Sequence, residues 1–127
     1  MDLQALLPIA KNIHTLDCGR AKLNDAGLAP IAQMTNLVRL QLNRNPNITD
    51  GGLTHLRGLV ELESLNLYDT GVTDAGLDQL TGLKKLQKLF LFGTKCTPAG
   101  AAKIKGAIPA LDVNLGDDLA PPPAPAR

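Results

Sequence analysis

At 127 residues the chain has the length of one domain, and its formal charge of +1, from 13 basic and 12 acidic residues, provides no global field to recruit nucleic acid or an anionic membrane. Apolar residues make up 44%, yet only Tyr68, Phe90 and Phe92 are aromatic, so the core must be filled by aliphatic side chains, which suits thin stacked layers. The opening MDLQALLPIAKN carries Asp2 where a signal peptide has basic residues, and its apolar run is too short to span a membrane. For the chain as written, the cytoplasm is the default compartment.

Residues 1–13 read as an N-terminal cap: Leu6 to Ile13 form a shortened helix in which Pro8-Ile9-Ala10 echoes Pro30-Ile31-Ala32. A strand pattern follows and recurs as Leu16-Asp-Cys18, Leu40-Gln-Leu42, Leu65-Asn-Leu67, Leu89-Phe-Leu91 and Val113-Asn-Leu115, at steps of 24, 25, 24 and 24 residues. After each of the first four comes a turn and a second shared string: Leu23-Asn-Asp-Ala-Gly-Leu28, Ile48-Thr-Asp-Gly-Gly-Leu53, Val72-Thr-Asp-Ala-Gly-Leu77 and Cys96-Thr-Pro-Ala-Gly-Ala101. Each string reads as a helix start, with Asn24, Thr49, Thr73 and Thr97 as N-caps and Asp or Pro next. Gly27, Gly52, Gly76 and Gly100 cost helix propensity, so they predict close packing between neighbouring coils. Apolar residues such as Leu77, Leu80, Leu83 and Leu86 then mark a buried helical face. Residues 14–116 thus hold four full repeats and a terminal strand, and residues 117–127, ending PPPAPAR, read as a disordered Pro-rich tail.

A unit of strand, turn and helix cannot bury its apolar face alone, but stacked copies share one core and pair their strands into a parallel sheet. With these strings the chain resembles the leucine-rich-repeat family, in the bacterial form LxxLxLxxTxVTDAGLxxLxxL, over roughly residues 6 to 116. That resemblance implies an α/β solenoid, curved and right-handed, with the sheet on the concave face and helices on the convex face. Similar repeats accompany c-type-cytochrome-like domains in bacterial proteins, and Ile108-Pro-Ala-Leu-Asp-Val113 looks like their closing phrase. However, the chain has no C-x-x-C-H for covalent haem. It also departs from the Asn turn ladder of the commonest repeats, with Ala21, Thr70 and Thr94 at those positions. Asn45 is the candidate in the second repeat, where Asn45-Pro46-Asn47 suggests a bulge.

If the repeated leucines point inward, the alternating residues face out from the sheet. All three aromatics fall on that face. Tyr68, Phe90 and Phe92 are the candidate apolar anchors for a protein partner, with Arg39, Gln41, Asn66 and Lys88 as orienting polar contacts. The competing reading is that cross-strand aromatic pairs simply stabilise neighbouring strands. The expected function is a non-catalytic protein–protein interaction module. The alternative is an accessory or spacer domain of a larger bacterial protein, redox-associated and cytochrome-linked.

Other chemistries find little support. There is no phosphate loop, nucleophile motif or paired His and carboxylate set, so no enzyme activity and no cofactor is expected. His14, near the first strand, and His55, on a helix two repeats on, are not expected to hold a metal. Asp25, Asp50 and Asp74 are accounted for by the helix dipole. Lys84, Lys85, Lys88, Lys95, Lys103 and Lys105 are not aligned on one stripe, which disfavours nucleic acid. Cys18 and Cys96 occupy core positions, and a bridge between them would cross three repeats, roughly 14 Å against a limit of about 7 Å. A bare last strand leaves either a monomer or an edge-strand homodimer open.

Overall fold

Strict three-residue spacing of the buried aliphatics sets the path of each coil. Leu28, Ile31, Met34, Leu37 and Leu40 follow it, as do Leu53 to Leu65 and Leu77 to Leu89 in the next two coils, and every one of these positions is buried. A period of three is that of a 3₁₀ turn. In the computed structural model, which describes residues 2–115, the first two coils accordingly carry 3₁₀ helices at Ala26–Gln33 and Asp50–Leu56. The third has a single α-helical turn, α1 (Asp74–Leu77), prolonged by 3₁₀ geometry over Asp78–Leu80. The fourth changes period, burying Ala101, Ile104, Ile108 and Leu111 with one step of four, and it holds the longer α-helix α2 (Pro98–Ala107). The helices expected in the first three coils are therefore mostly the tighter form.

Five strands, β1 (Thr15–Asp17), β2 (Arg39–Gln41), β3 (Ser64–Asn66), β4 (Lys88–Phe90) and β5 (Asp112–Asn114), pair in chain order, all parallel. Leu16, Leu40, Leu65, Leu89 and Val113 share one register, so the longer second step is absorbed outside the sheet. The three middle leucines are wholly buried, whereas Leu16 and Val113 are half-buried because a stack has two ends. A 3₁₀ segment, Leu3–Asn12, kinked at Ile9, packs on the first coil through Leu3 and Ala10 and forms the N-terminal cap. The tail expected at residues 117–127, and Gly116, lie outside the described residues. Among the described residues no helix is long and apolar enough to cross a membrane.

Two polar joints fasten coil to coil. Asn45, fully buried, accepts from the amides of Ala21 and Leu23, both at 3.0 Å, and donates to the carbonyls of Cys18, Leu42 and Asn43. It therefore serves its own turn and the preceding one together. At the same level of later coils, Thr70 and Thr94 donate to Leu67 O at 2.8 Å and Leu91 O at 2.6 Å, a bond within one turn.

The second joint revises the reading of the aspartate column. Asp25 accepts from the amide of Thr49 at 2.7 Å and from its hydroxyl at 2.5 Å, and Asp50 with Thr73 and Asp74 with Thr97 repeat the arrangement. Each carboxylate thus clamps the next coil, beyond any interaction with its own helix dipole. The glycines make room for it: a Cβ on Gly52, Gly76 or Gly100 would collide with the carboxylate of Asp25, Asp50 or Asp74 respectively. Thr49 and Thr97 make no side-chain cap bond, while Thr73 Oγ1, besides donating to Asp50, accepts from Ala75 N at 3.3 Å. Asn24, with no aspartate before it, caps its own coil by accepting from Gly27 N at 2.9 Å.

Candidate binding face

The alternation of the strands lays three rows across the sheet. In the first, Thr15, Arg39, Lys88 and Asp112 are exposed and Ser64 is half-buried. The second runs through Asp17, Gln41, Asn66, Phe90 and Asn114, and the third continues past the strand ends through Gly19, Asn43, Tyr68 and Phe92. Of the expected site residues, Arg39 and Lys88 are exposed, and Gln41, Tyr68, Phe90 and Phe92 are half-buried.

Tyr68 and Phe92 stack, with ring centroids 5.5 Å apart and planes 13° from parallel. Adjacent coils place successive side chains roughly 4.8 Å apart, so two rings in one row can meet face to face with little adjustment. The Arg44 guanidinium lies 5.2 Å from the Tyr68 ring centroid and extends the column. Strand alternation alone did not single out Arg44, because it belongs to the turn. The signal is conformational: Arg20, Arg44 and Asp69 occupy equivalent turn positions with φ of 56°, 63° and 57°, and Gly93 follows at 78°. These turns share one left-handed shape, so their side chains leave the coil in a common direction.

Asn66 differs from its expected role as a free polar contact. It is 4% exposed, donating from Nδ2 to Gln41 Oε1 at 2.9 Å and accepting from Tyr68 N at 3.0 Å. Its amide is thus used up between the Gln41 side chain and the Tyr68 main chain, and it orients both neighbours. Asp17 makes the matching bond two strands away in the same row, accepting from Gly19 N at 3.0 Å. Of the six lysines, Lys85 pairs with Glu61 at 2.7 Å, Lys103 with Asp78 at 3.1 Å, and Lys84 donates to the carbonyl of Ala107. Lys88 stays on the sheet.

Beside the aromatic column lies a shallow depression of about 360 Å³ lined by Asp17, Gly19, Arg20, Asn43 and Arg44. Asn43 is 8% exposed, and its Oδ1 is buried without a hydrogen-bond partner among the described residues. Cys18 and Cys96 are free thiols. Burial pushes the Cys18 thiol up to about 11, with the Asp17 charge adding to the effect, and burial also raises Cys96.

An in-register parallel sheet built one short strand per coil, backed by 3₁₀ and α segments and tied by a buried asparagine, defines a leucine-rich-repeat solenoid. Comparison with solved structures agrees. The chain is similar to an internalin C2 from Listeria monocytogenes, at 28% identity and a TM-score of 0.72, over 86% of this chain and 43% of that one. A second Listeria internalin aligns at 23% identity and 0.68, over 91% and 35%. By fold alone, the Mex67:Mtr2 subunits of Chaetomium align at 17% identity and 0.67, over 94% and 93%. The chain spans less than half the length of these internalins. No protein-family model matches the sequence, and no curated protein does.

Proposed function

We propose that the chain is a recognition module that holds another protein on its sheet, with Tyr68, Phe90 and Phe92 as apolar anchors and Arg39 and Lys88 as exposed polar contacts. Gln41 and Asn66 act behind them, fixing the strand that carries Tyr68. Stacked coils present an extended continuous surface, and the depression on it is shallow, which suits a macromolecule better than a small molecule. The observation that carries this reading is the stacked, half-exposed Tyr68–Phe92 pair, which places every aromatic residue type of the chain on one face. Aromatic and arginine side chains are the residues from which interface hot spots are most often built.

The test is affinity capture from native lysate with the wild-type chain beside a Tyr68→Ser, Phe90→Ser, Phe92→Ser variant shown by circular dichroism to remain folded. A partner retained by wild type and lost by the variant is expected. Identical eluates would reject the face as the binding site and favour the second reading, an accessory segment of a longer protein. That reading draws on the chain covering 43% of the internalin C2 length.

A further inference from the structure

The depression next to the aromatic column has a chemistry that the aromatic patch lacks. Arg20 and Arg44 line it from equivalent positions of adjacent coils, and the backbones are joined directly there, Arg20 N donating to Asn43 O at 3.0 Å. Both residues have positive φ, so both side chains leave their turns in the same sense, from backbones about one coil spacing or roughly 4.8 Å apart. Two long arginine side chains lining one depression from adjacent turns can reach one carboxylate, each offering parallel N–H donors. Neither forms an ion pair with any described residue. Arg44 lies over the Tyr68 ring and donates no hydrogen bond or ion pair to a carboxylate among the described residues, and the ring contact limits the side-chain entropy lost when its N–H groups bind.

The remaining lining specifies what carries the carboxylate. Asn43 crowds Gly19 so closely that a Cβ there would lie 3.0 Å from Nδ2, and its Oδ1 is buried with no partner among the described residues, an acceptor that a main-chain N–H of a bound segment could fill. Asp17 uses Oδ1 for Gly19 N and contributes a negative charge to the same depression. A bare anion would gain from the arginines and be opposed by Asp17. A peptide segment with an acidic side chain brings a carboxylate for the arginines and main-chain N–H groups for the second Asp17 oxygen.

We infer that the depression formed by Arg20, Arg44, Asn43 and Asp17 receives an acidic side chain of the partner protein, next to an apolar residue seated on Tyr68 and Phe92. This inference rests on the recognition face proposed above and narrows its partner to a segment pairing Asp or Glu with a neighbouring large apolar residue. Arg44 joins the two halves of the site, since it lines the depression and covers the Tyr68 ring.

A library of short random peptides displayed on phage and selected on the full chain tests it. Wild type should enrich peptides with Asp or Glu near a large apolar residue. Replacing that acid with Asn or Gln should weaken binding about tenfold or more, the scale of one charge-assisted contact. An Arg20→Gln variant, of unchanged thermal stability, should keep the apolar preference and lose most of the acidic one. Arg44→Lys should fall between, keeping charge while losing the planar fork. Enrichment of apolar residues with no acidic preference would overturn the carboxylate site and leave the aromatic face standing. No enrichment by wild type would overturn both. Displacement of the selected peptides by inorganic phosphate, but not by chloride at equal ionic strength, would show an unspecific anion hole and also overturn the inference.

Discussion

Replacing Asn45 by Ala removes the joint that serves two coils at once. The substitution strands the amides of Ala21 and Leu23, which take their acceptor from Asn45 Oδ1 at 3.0 Å each. A buried unpaired N–H costs ~1–3 kcal/mol. Leu23 is buried and Ala21 half-buried, so the sum is about 3 kcal/mol. At ~3–4 °C per kcal/mol for a domain of this length, Tm should fall by about 10 °C. Thr70→Val is the control, because it removes one hydroxyl bond to Leu67 O and should cost about 1 kcal/mol. Urea unfolding followed by circular dichroism gives both values, and the ratio decides. An Asn45→Ala chain no less stable than Thr70→Val would mean that water replaces the amide and that the two-coil joint is not what holds the turns together.

Gly76→Ala should destabilise by about 2 kcal/mol, since the added methyl meets the Asp50 carboxylate and Leu53, while Gly58→Ala, with open space around it, should change stability by less than about 0.5 kcal/mol. Equal effects in thermal melts would refute the clamp geometry. Hydrogen bonds from Thr97 hold the Asp74 carboxyl below its ordinary value of 3.8, so its contribution is present above that value and disappears as pH falls through the lower folded-state value. Asp74→Asn should therefore unfold at lower urea than wild type at neutral pH and converge with it in acid; a gap independent of pH contradicts this. Because burial raises both thiols, a thiol reagent at mildly alkaline pH should modify native Cys18 very slowly, Cys96 faster, and both fully on unfolding. Fast labelling of Cys18 in the native chain would mean that the first coil opens.

The strands, their order and their register were legible because a 24-residue recurrence with inward leucines admits few arrangements. The convex side was less so, and the reason lies in Leu77, Leu80, Leu83 and Leu86. Their spacing suits an amphipathic helix at a glance, yet four successive steps of three through Leu89 fit a 3₁₀ path better, as the one step of four between Ile104 and Ile108 shows by contrast. The aspartate column was visible as a column, but its partners were not, because a hydrogen bond 23 or 24 residues away requires knowing how coils stack. On the sheet, alternation placed the three aromatics on one face. It could not foresee that Asn66 is covered and bonded to Gln41 and Tyr68, or that Arg44 and Arg20 reach the face from the turns, since alternation ends where the strand ends.

Joints that are alike allow the array to be spliced. Duplicating residues 50–73 in place would leave every forward-facing carboxylate with a threonine to receive it, add one strand to the sheet, and bring a second tyrosine into the column of Tyr68 and Phe92. The reverse holds at the far end. Pro98 stands where the earlier strings carry aspartate, so the fourth coil offers no acceptor to a successor, and the same ring that favours the start of α2 sets the length at which this ladder stops.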